Sequence, residues 1–430
     1  MSLRLHPLSQ LDITRYIRAG DLVSWEQAMA EPRGLLAAYL AARHSIGPTR
    51  AFAGLSLSGD LKPVHCDAIK VLSYGALGST AALVRQDLVD LYPCRYAQMP
   101  ALIRQGQLRP DVLLLQLSPP GPDGRHSLGF NNDLLPIMMQ AARVVLAEVN
   151  PTVPWVHMDT PLEEARITAA FHSDAPLPQF SAPLPGTVEQ AIAAHLADYI
   201  PEGATLQYGV GAVPTAILQA LRHHRDLGLH SGLVTDDIIE LIACGALTNA
   251  HKELLPGCSV GGVAMGSARL SKFLDSNPDY LSCSVDLTHS ARSLSQLRRL
   301  VAINSALEVD LYGQVNAEQI GTRYLGAIGG QVDFMHAAAE AEQGLAVIAL
   351  PAGAGEKSRI VSKLSGPQVT TARSEVDLVA TEHGVADLRG LSTETRAAAL
   401  IKIAAPEARD RLRHAWQKEA NHAKRPEATG

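Results

Sequence analysis

Short apolar runs recur along the chain, at residues 112–115, 144–147, 345–350 and 376–380, of which only the last contains a polar residue, Asp377. Continuous apolar runs of this length are typical of parallel strands that are buried on both faces. Stretches with helical apolar periodicity alternate with them, notably at residues 187–199, 237–244 and 393–404. Because strands that alternate with helices predict βαβ units, we expect an α/β fold with mostly parallel sheets.

A proline-rich stretch at residues 175–186 (APLPQFSAPLPG) interrupts every periodic pattern. Proline lacks an N–H and keeps the preceding residue out of the helical region, so the stretch is typical of a domain boundary. The length of 430 residues also favours two or three domains. We predict an N-terminal domain over residues 1–180, a C-terminal domain over residues 187–420 and a flexible tail over residues 421–430.

A related pattern occurs on both sides of this boundary. In both copies a glycine turn leads into a short apolar strand, and a loop ending in Pro32 or Pro214 leads into a helical stretch at 34–42 or 215–222. Proline is well tolerated in a first helical turn because its missing N–H has no intrahelical partner there. The spacings differ by one residue and few identities are shared, so chance similarity stays open, but we favour an internal duplication.

Composition narrows the function classes. Apolar residues make up 47% of the chain, charged residues 19% and aromatic residues 4%, and the formal net charge is -6. A nucleic-acid partner is not expected, because the chain has neither a basic excess nor many aromatic side chains for base stacking. The five cysteines include no CxxC pair, so neither a disulfide framework nor a metal site is indicated. Without a signal-peptide pattern or a long apolar run, we expect a cytoplasmic protein with no membrane partner.

Several glycine-rich or polar loops follow the predicted strands. Residues 207–214 (QYGVGAVP) form a Gly-x-Gly loop before a helix, where backbone amides suit a phosphate or an oxyanion, although such a loop is also an ordinary turn. Residues 325–334 form a second glycine loop, whose polar side chains either hold a ligand or cap the turn. Residues 148–150 and 351–359 follow apolar strands and either line a cleft or contact solvent.

Taken together, these loops resemble successive motifs of the acetyl-CoA hydrolase/transferase family of class I CoA-transferases. The matching segments keep the family's order over nearly the whole chain: residues 148–150 (EVN), 207–214 (QYGVGAVP), 303–318 (INSALEVDLYGQVNAE), 328–334 (IGGQVDF), 357–364 (KSRIVSKL) and 381–390 (TEHGVADLRG).

The resemblance implies two similar open α/β domains with an active site between them. It implies acyl-CoA and small carboxylic acids as substrates, no tightly bound cofactor, and a homodimer. The loop of Gly209, Val210 and Gly211 would position the acyl group and stabilise oxyanions. The positions expected to contact CoA are Gln207, Glu148, Asn150, Asn304, Gly329, Gly330, Gln331, Lys357 and Arg359.

The chain departs from the family pattern at Gly232. The resemblance implies a glutamate here, which attacks the acyl-CoA and forms a glutamyl-CoA thioester. The flanking positions His230 and Asp236 keep the family register, so a shifted alignment does not restore the glutamate. Glycine has no side chain and cannot form that intermediate.

Three interpretations follow. Another carboxylate replaces the glutamate, with Glu31 as a candidate beside Asp236 and Glu240. Alternatively, Gly232 leaves room for an acceptor acid, or for water, to attack the thioester directly. In the third interpretation the protein binds acyl-CoA without turnover as a regulatory protein. We favour a CoA-transferase acting on small acids of the 4-hydroxybutyrate and acetate type, with an acyl-CoA hydrolase as the alternative.

Overall fold

The structure, a computed structural model, describes residues 3–354 and 357–423. The strands are β1 Leu5–Pro7, β2 Leu22–Trp25, β3 Thr49–Phe52, β4 Ile69–Ser73, β5 Val89–Leu91, β6 Val112–Leu117, β7 Val144–Val149, β8 Ala169–His172, β9 Thr205–Tyr208, β10 Gly228–Val234, β11 Ser259–Ala264, β12 Tyr280–Ser282, β13 Leu300–Asn304, β14 Glu308–Asp310, β15 Val315–Asn316, β16 Gln319–Ile320, β17 Arg323–Tyr324, β18 Leu345–Ala349, β19 Gly353–Ala354, β20 Lys357–Ser358, β21 Ile360–Val361, β22 Leu378–Thr381 and β23 Gly384–Asp387.

The helices lie between these strands and beyond the last of them. They are α1 Arg33–Ile46, α2 Thr80–Val84, α3 Met99–Arg104, α4 Leu135–Ala141, α5 Thr187–Ala197, α6 Ala212–Ala220, α7 Asp237–Ala243, α8 Ala268–Leu274, α9 Val285–Thr288, α10 Ala291–Leu294, α11 Gln331–Glu340, α12 Thr393–Ile403 and α13 Arg409–Ala423.

Two eight-stranded sheets carry the fold. The N-terminal sheet has the order β1-β8-β7-β6-β2-β3-β4-β5, and the C-terminal sheet has the order β12-β11-β10-β9-β13-β18-β22-β23. Every pairing in the N-terminal sheet is parallel. In the C-terminal sheet only the β22–β23 pair is antiparallel. The predicted α/β class with mostly parallel sheets is confirmed.

The two sheets repeat one topology. In each sheet, the next three strands in sequence add one after another on one side of a central strand, which is β2 or β9. The following strand, β6 or β13, then pairs with the other side of that central strand, and the remaining strands add outward from there. The strand order therefore reverses beside β2 and beside β9, which are the topological switch points where such sheets bind ligands. This shared order supports the internal duplication indicated by the sequence.

The predicted elements are present with small differences at their ends. The apolar runs become β6, β7, β18 and β22, and the periodic stretches become α5, α7 and α12. The tail expected from residue 421 is different, because α13 continues to Ala423, and residues 424–430 lie outside the described residues. No helix in the described part of the chain is long and apolar enough to cross a membrane.

Both faces of each sheet are covered by apolar cores. Along β6, Leu113 and Leu115 belong to one cluster while Val112 and Leu114 belong to another, as expected for a strand buried on two sides. The strands β13 and β18 divide in the same way between two further clusters. Continuous apolar strands are therefore explained by helices packed on both faces.

The two halves, residues 3–180 and 187–423, meet closely. Backbone bridges join Gly75 to Ala327, Arg95 to Gly329 and Asn131 to Val263. The core of the C-terminal half also includes Phe130 from the N-terminal half. These contacts fix the loops at the carboxyl ends of the two sheets against each other and enclose a cavity between them.

Candidate active site

A cavity of about 530 Å³ lies between the two halves, at the C-terminal switch point. Its lining includes eight of the residues predicted for the site: Gln207, Gly209, Val210, Gly232, Asn304, Gly329, Gly330 and Gln331. A second cavity of about 890 Å³, rich in proline, includes none of the predicted site residues. We therefore place the candidate active site in the cavity between the halves.

The floor of the cavity is formed where β9 and β13 end. Gln207 and Asn304 exchange amide hydrogen bonds across these strands, with Asn304 Nδ2 donating to Gln207 Oε1 at 2.9 Å and Gln207 Nε2 donating to Asn304 Oδ1 at 3.4 Å. The pair is nearly buried, and each amide retains hydrogen-bonding capacity toward the cavity. These are neutral polar groups suited to orienting a substrate.

The Gly-x-Gly loop lies between β9 and the N-terminus of α6. The N–H of Gly209 donates a hydrogen bond to the Ile303 carbonyl at 3.0 Å. Among the described residues, the N–H groups of Val210 and Gly211 have no hydrogen-bond partner, and α6 has no side-chain cap. Free amides at a helix N-terminus attract anions. In this loop the amides of Val210 and Gly211 are therefore unpaired, whereas that of Gly209 is taken up by the sheet.

Gly211 is glycine for a conformational reason. Its φ of 133° and ψ of 178° lie in a region that is almost closed to other residues. A Cβ added here would meet no heavy atom within 4 Å, so the constraint is backbone geometry and not space.

Gly232 lies on β10, and the space beside it is occupied by a histidine. A Cβ built on Gly232 would lie 2.5 Å from Cε1 of His289, and a Cβ on Gly330 would lie 2.5 Å from Nε2 of the same ring. Both distances are shorter than real Cβ contacts allow. The two glycines thus make room for the His289 imidazole, which lines the cavity.

His289 is held by its own helix and by two aromatic rings. Its Nδ1 lies 2.8 Å from the Thr288 hydroxyl, and its ring is 4.9 Å from Tyr96 and 4.8 Å from Phe334, centroid to centroid. Burial, together with the nearby His230, lowers the pKa of His289 to about 3. The imidazole is therefore neutral at ordinary pH.

The opposite wall comes from the N-terminal half. Tyr74 donates to Gln27 Oε1 at 2.8 Å, Gln27 Nε2 donates to Tyr96 at 2.6 Å, and both Gln27 and Tyr96 donate to the Asp133 carboxylate. Burial raises the pKa of Asp133. This connected network fixes the side chains that face His289 across the cavity.

The chain is similar to known proteins over most of its length. Residues 8–205 match the acetyl-CoA hydrolase/transferase N-terminal domain and residues 266–416 match the C-terminal domain of the same family. The 4-hydroxybutyrate coenzyme A transferase of Clostridium kluyveri is 39% identical over 344 residues, covering 79% of this chain and 80% of that protein. The chain belongs to the acetyl-CoA hydrolase/transferase family.

Further similarities agree with this membership. The succinyl-CoA:acetate/propanoyl-CoA:succinate CoA transferase of Fasciola hepatica is 35% identical, over 79% of this chain and 72% of that protein. The crystal structure of RipA from Yersinia pestis superposes with a TM-score of 0.91 at 30% identity, covering 97% of this chain and 98% of the other. The protein is thus an acyl-CoA enzyme of a family whose members use different acids.

Not all positions suggested by the family resemblance lie at the cavity. Glu31, considered as a substitute nucleophile, does not line it. Its carboxylate accepts hydrogen bonds from the Ser56 hydroxyl at 2.7 Å and from the backbone N–H groups of Leu57 and Ser58 at 2.9 and 2.7 Å. A carboxylate fixed by three donors in a loop is a structural anchor. Asp236 is also engaged within the protein, because its carboxylate accepts from the N–H and the hydroxyl of Ser267 at 2.8 and 2.7 Å.

Glu148 and Asn150 are also absent from the cavity lining. Glu148 accepts from the Leu35 N–H of α1 at 2.8 Å and from the Ser173 hydroxyl at 3.0 Å, and burial raises its pKa to about 7. Asn150 Nδ2 donates to Gln116 and to the Ala175 carbonyl. The structure therefore places both side chains inside the N-terminal half, where they join its own elements.

Four other family positions lie around the second glycine loop and β20. Gly329 and Gln331 line the cavity, and Gln331 Nε2 donates to the Thr371 hydroxyl at 3.0 Å. Lys357 is exposed and Arg359 is half-buried, and neither lines the cavity. A contact of these two cations with CoA stays a prediction. Within residues 3–354 and 357–423, no cluster of His, Cys, Asp and Glu could hold a metal ion.

Sequence reasoning missed His289, as well as Gln27, Tyr74 and Tyr96. Each is remote in sequence from the glycine loops, and no local pattern marks it. The one available signal was indirect: where the resemblance implies a glutamate, a glycine leaves a volume that another residue must fill, because protein interiors are close-packed.

Proposed function

We propose that this protein is a CoA-transferase that moves CoA from an acyl-CoA to a small carboxylic acid. The observation that carries the proposal is the pair of amides of Val210 and Gly211 at the start of α6, which have no hydrogen-bond partner among the described residues. Val210 lines the cavity, and Gly211 follows it directly. Donors in this arrangement stabilise the negative charge that develops on a thioester carbonyl oxygen under attack. Membership of the acetyl-CoA hydrolase/transferase family supports the same reaction class.

The proposed reaction uses the acceptor itself as nucleophile, because residue 232 is glycine. A carboxylate oxygen of the acceptor attacks the thioester carbon, the C–S bond breaks, and CoA leaves as a thiolate. The two acids are then joined in a mixed anhydride. The thiolate then attacks the acceptor's carbonyl carbon, and the C–O bond to the first acid breaks. The products are the new acyl-CoA and the first acid as its carboxylate, so no external oxidant, reductant or proton is needed.

The cavity favours a small monocarboxylic acid. Its described lining includes apolar side chains such as Leu55, Val263 and Met265 and the neutral amides of Gln27 and Gln207, but no lysine or arginine. The second carboxylate of a dicarboxylic acid would therefore be desolvated without a cationic partner, which is costly. The amides suit a hydroxyl group, so we propose substrates of the 4-hydroxybutyrate and acetate type.

Transfer assays with and without an acceptor test this proposal. The protein is incubated with acetyl-CoA or butyryl-CoA, with and without acetate, 4-hydroxybutyrate or succinate, and new acyl-CoA species are measured by mass spectrometry. We expect acceptor-dependent exchange with the monocarboxylic acids and little with succinate. Borohydride treatment during turnover is expected to trap no glutamyl thioester. Binding of acyl-CoA without any exchange would instead identify a regulatory protein.

Two further features expected from the family are proposals of the same kind. We infer a homodimer, for which sedimentation equilibrium should give twice the chain mass, whereas a stable monomer would contradict it. We also infer a cytoplasmic enzyme of acetate metabolism, which fractionation of cells that express the untagged protein would test.

A hydrolase is the second candidate function, because one observation favours it. Because residue 232 is glycine, the neutral imidazole of His289 fits beside it in the wall of the cavity, where a nucleophilic water could contact it.

A further inference from the structure

His289 Nε2 is an unused polar atom at the cavity. Among the described residues no hydrogen bond to this nitrogen is present, and the ring lines the cavity between Gly232 and Gly330. His289 as a whole is only 5% exposed, so its orientation is fixed by packing and not by solvent. A fixed, unpartnered ring nitrogen in an acyl-CoA site requires an explanation.

We assign the ring proton to Nδ1, the arrangement in which both contacts of the Thr288 hydroxyl are hydrogen bonds. The Thr288 hydroxyl donates its only proton to the Ser284 carbonyl at 3.1 Å. Its oxygen then accepts from His289 Nδ1 at 2.8 Å. With the proton on Nδ1, Nε2 carries a lone pair and can accept a hydrogen bond but cannot donate one.

We propose that His289 Nε2 binds a water molecule in the cavity and acts as the general base that directs this water onto the thioester, so that the protein hydrolyses acyl-CoA when no acceptor acid is bound. A carboxylate oxygen would face the Nε2 lone pair unfavourably, whereas water supplies the donor that Nε2 lacks. This inference rests on the proposed acyl-CoA site and adds a second nucleophile to it.

The step balances without a further reactant. As the water oxygen attacks the thioester carbon, its proton passes to Nε2, and the tetrahedral oxyanion is held by the amides of Val210 and Gly211. The C–S bond then breaks, and the imidazolium at His289 returns its proton to the CoA sulfur. The products are one carboxylic acid, one CoA thiol and the regenerated neutral imidazole.

The surroundings keep the base available. The groups that face the ring are Tyr96 and Phe334 at its sides and His230 from β10, while Asp133 lies behind Tyr96. Burial lowers the pKa of His289 to about 3, so the base form is present across the physiological range. A base of such low pKa is weak. We therefore expect hydrolysis to be slower than transfer.

A substitution at His289 can distinguish attack by water from attack by the acceptor carboxylate. Water must lose a proton to a base when it attacks, whereas a carboxylate has no proton to lose. We measure CoA release from butyryl-CoA without an acceptor, and butyryl transfer to acetate, in the wild type and in His289→Gln. The expected result is a loss of about 100-fold in acceptor-independent hydrolysis, with a loss of transfer that is at least about tenfold smaller. In H₂¹⁸O, the acid released by the wild type should contain one ¹⁸O atom.

A second pair of variants tests the tautomer without touching the imidazole. Thr288→Val removes the acceptor for Nδ1 and should lower hydrolysis about five- to tenfold, roughly the effect of one hydrogen bond. Thr288→Ser keeps the hydroxyl and should restore the rate. This pair keeps the proposal testable if His289→Gln does not fold.

Equal losses of hydrolysis and transfer in His289→Gln would overturn the proposal, since His289 would then serve only substrate binding or packing. Hydrolysis that is unchanged in that variant, or absent from a wild type that transfers, would also overturn it. Absence of acceptor-dependent exchange would count against the proposed transferase instead, whatever the hydrolysis rate.

Discussion

The two halves share one strand order but differ in the loop that follows their first central strand. Leu22 of β2 and Thr205 of β9 occupy equivalent positions after a glycine turn, so counting forward places Ala28 opposite Gly211. Both have positive φ, 57° and 133°. Ala28 donates its N–H to the Leu55 carbonyl at 2.7 Å, whereas the N–H of Gly211 has no partner in the described chain. One loop is closed by its own backbone, and the other is open.

The helices that follow these loops differ in the same sense. The N-terminus of α1 receives the carboxylate of Glu148, which accepts from Leu35 N–H. The N-terminus of α6 receives no side chain from the protein. A helix N-terminus attracts negative charge. In the N-terminal half the side chain of Glu148 meets the N-terminus of α1, whereas in the C-terminal half the N-terminus of α6 stays available to a ligand.

A glycine at equivalent positions is also used differently. The pairings of Leu22 with Arg50 and of Thr205 with Gly228 place Gly54 opposite Gly232. A Cβ on Gly54 would meet Gln27 Oε1 at 2.5 Å, and one on Gly232 would meet the His289 ring at 2.5 Å. Each glycine accommodates a polar side chain. In the N-terminal half that side chain joins a closed network, while in the C-terminal half it leaves one nitrogen free.

A duplicated fold can thus keep one switch point as scaffold and leave the other open to a ligand. The largest effect is expected from closing the open loop. Gly211→Ala forces a non-glycine residue into the observed φ and ψ, and relief of that strain re-aims the amide. We expect kcat/KM for acyl-CoA to fall by about 10²- to 10³-fold and the free energy of unfolding to fall by about 1–3 kcal/mol.

Gly20→Ala is the matched control for Gly211→Ala. Gly20 has a φ of 88° and nothing within 4 Å of an added Cβ, and it lies in the turn before β2. A similar loss of stability with unchanged kcat/KM is expected. Equal losses of activity in both variants would mean that strain anywhere in the fold lowers turnover, and the loop would have no special role.

The next largest effect, a loss of stability, is expected from substituting Glu148 at the N-terminus of α1. Glu148→Ala leaves the Leu35 N–H and the Ser173 hydroxyl without their buried partner, so the free energy of unfolding should fall by about 2–4 kcal/mol. Glu148→Gln should recover most of it, because its amide can accept from Leu35 and donate to Ser173. Urea denaturation measures both. A Glu148→Gln enzyme that folds normally but no longer binds CoA would show that Glu148 contacts the substrate after all.

A smaller loss of stability is expected from placing a side chain at residue 232, next to His289. Gly232→Ala places a methyl group against the imidazole and should cost about 1–3 kcal/mol of stability. In a His289→Ala background the same change should cost almost nothing, giving a coupling energy of about 1–2 kcal/mol in a double-mutant cycle. Additive losses would show that His289 does not fill the space beside Gly232.

The smallest effect is a dependence of stability on pH. Burial raises the pKa of Glu148 from 4.5 to about 7. Between these values the folded protein retains a proton that the unfolded chain releases, so the free energy of unfolding falls as pH rises. Relative to Glu148→Gln, the wild type should lose about 1.5 kcal/mol between about pH 5 and pH 6.5. Parallel pH profiles would mean that Glu148 ionises normally.

Much of the fold could be predicted because it depends on local patterns. Continuous apolar runs identified β6, β7 and β18, and the loop before α6 was placed at a strand end from its glycines alone. The use of each polar residue could not be predicted. Glu148 follows a buried strand in the sequence as a substrate-binding residue would, but its carboxylate points to α1, which only the tertiary arrangement decides.

The same limit explains the missed histidine. His289 follows the short helix α9 and reaches Gly232 only because β10 and α9 pack together. The sequence showed that a side chain was absent at residue 232, but not which residue occupies the space. Long-range packing decides that, and one sequence contains no direct record of it.

The most direct test is a crystal structure with a non-hydrolysable ketone analogue of butyryl-CoA, in which a methylene group replaces the thioester sulfur and the carbonyl is retained. We expect the carbonyl oxygen at about 2.7–3.1 Å from the Val210 or Gly211 amide nitrogen, with the butyryl chain in the cavity beside Gly232 and His289. An analogue bound with its carbonyl in the proline-rich cavity, or against the N-terminus of α1 near Glu148, would contradict it.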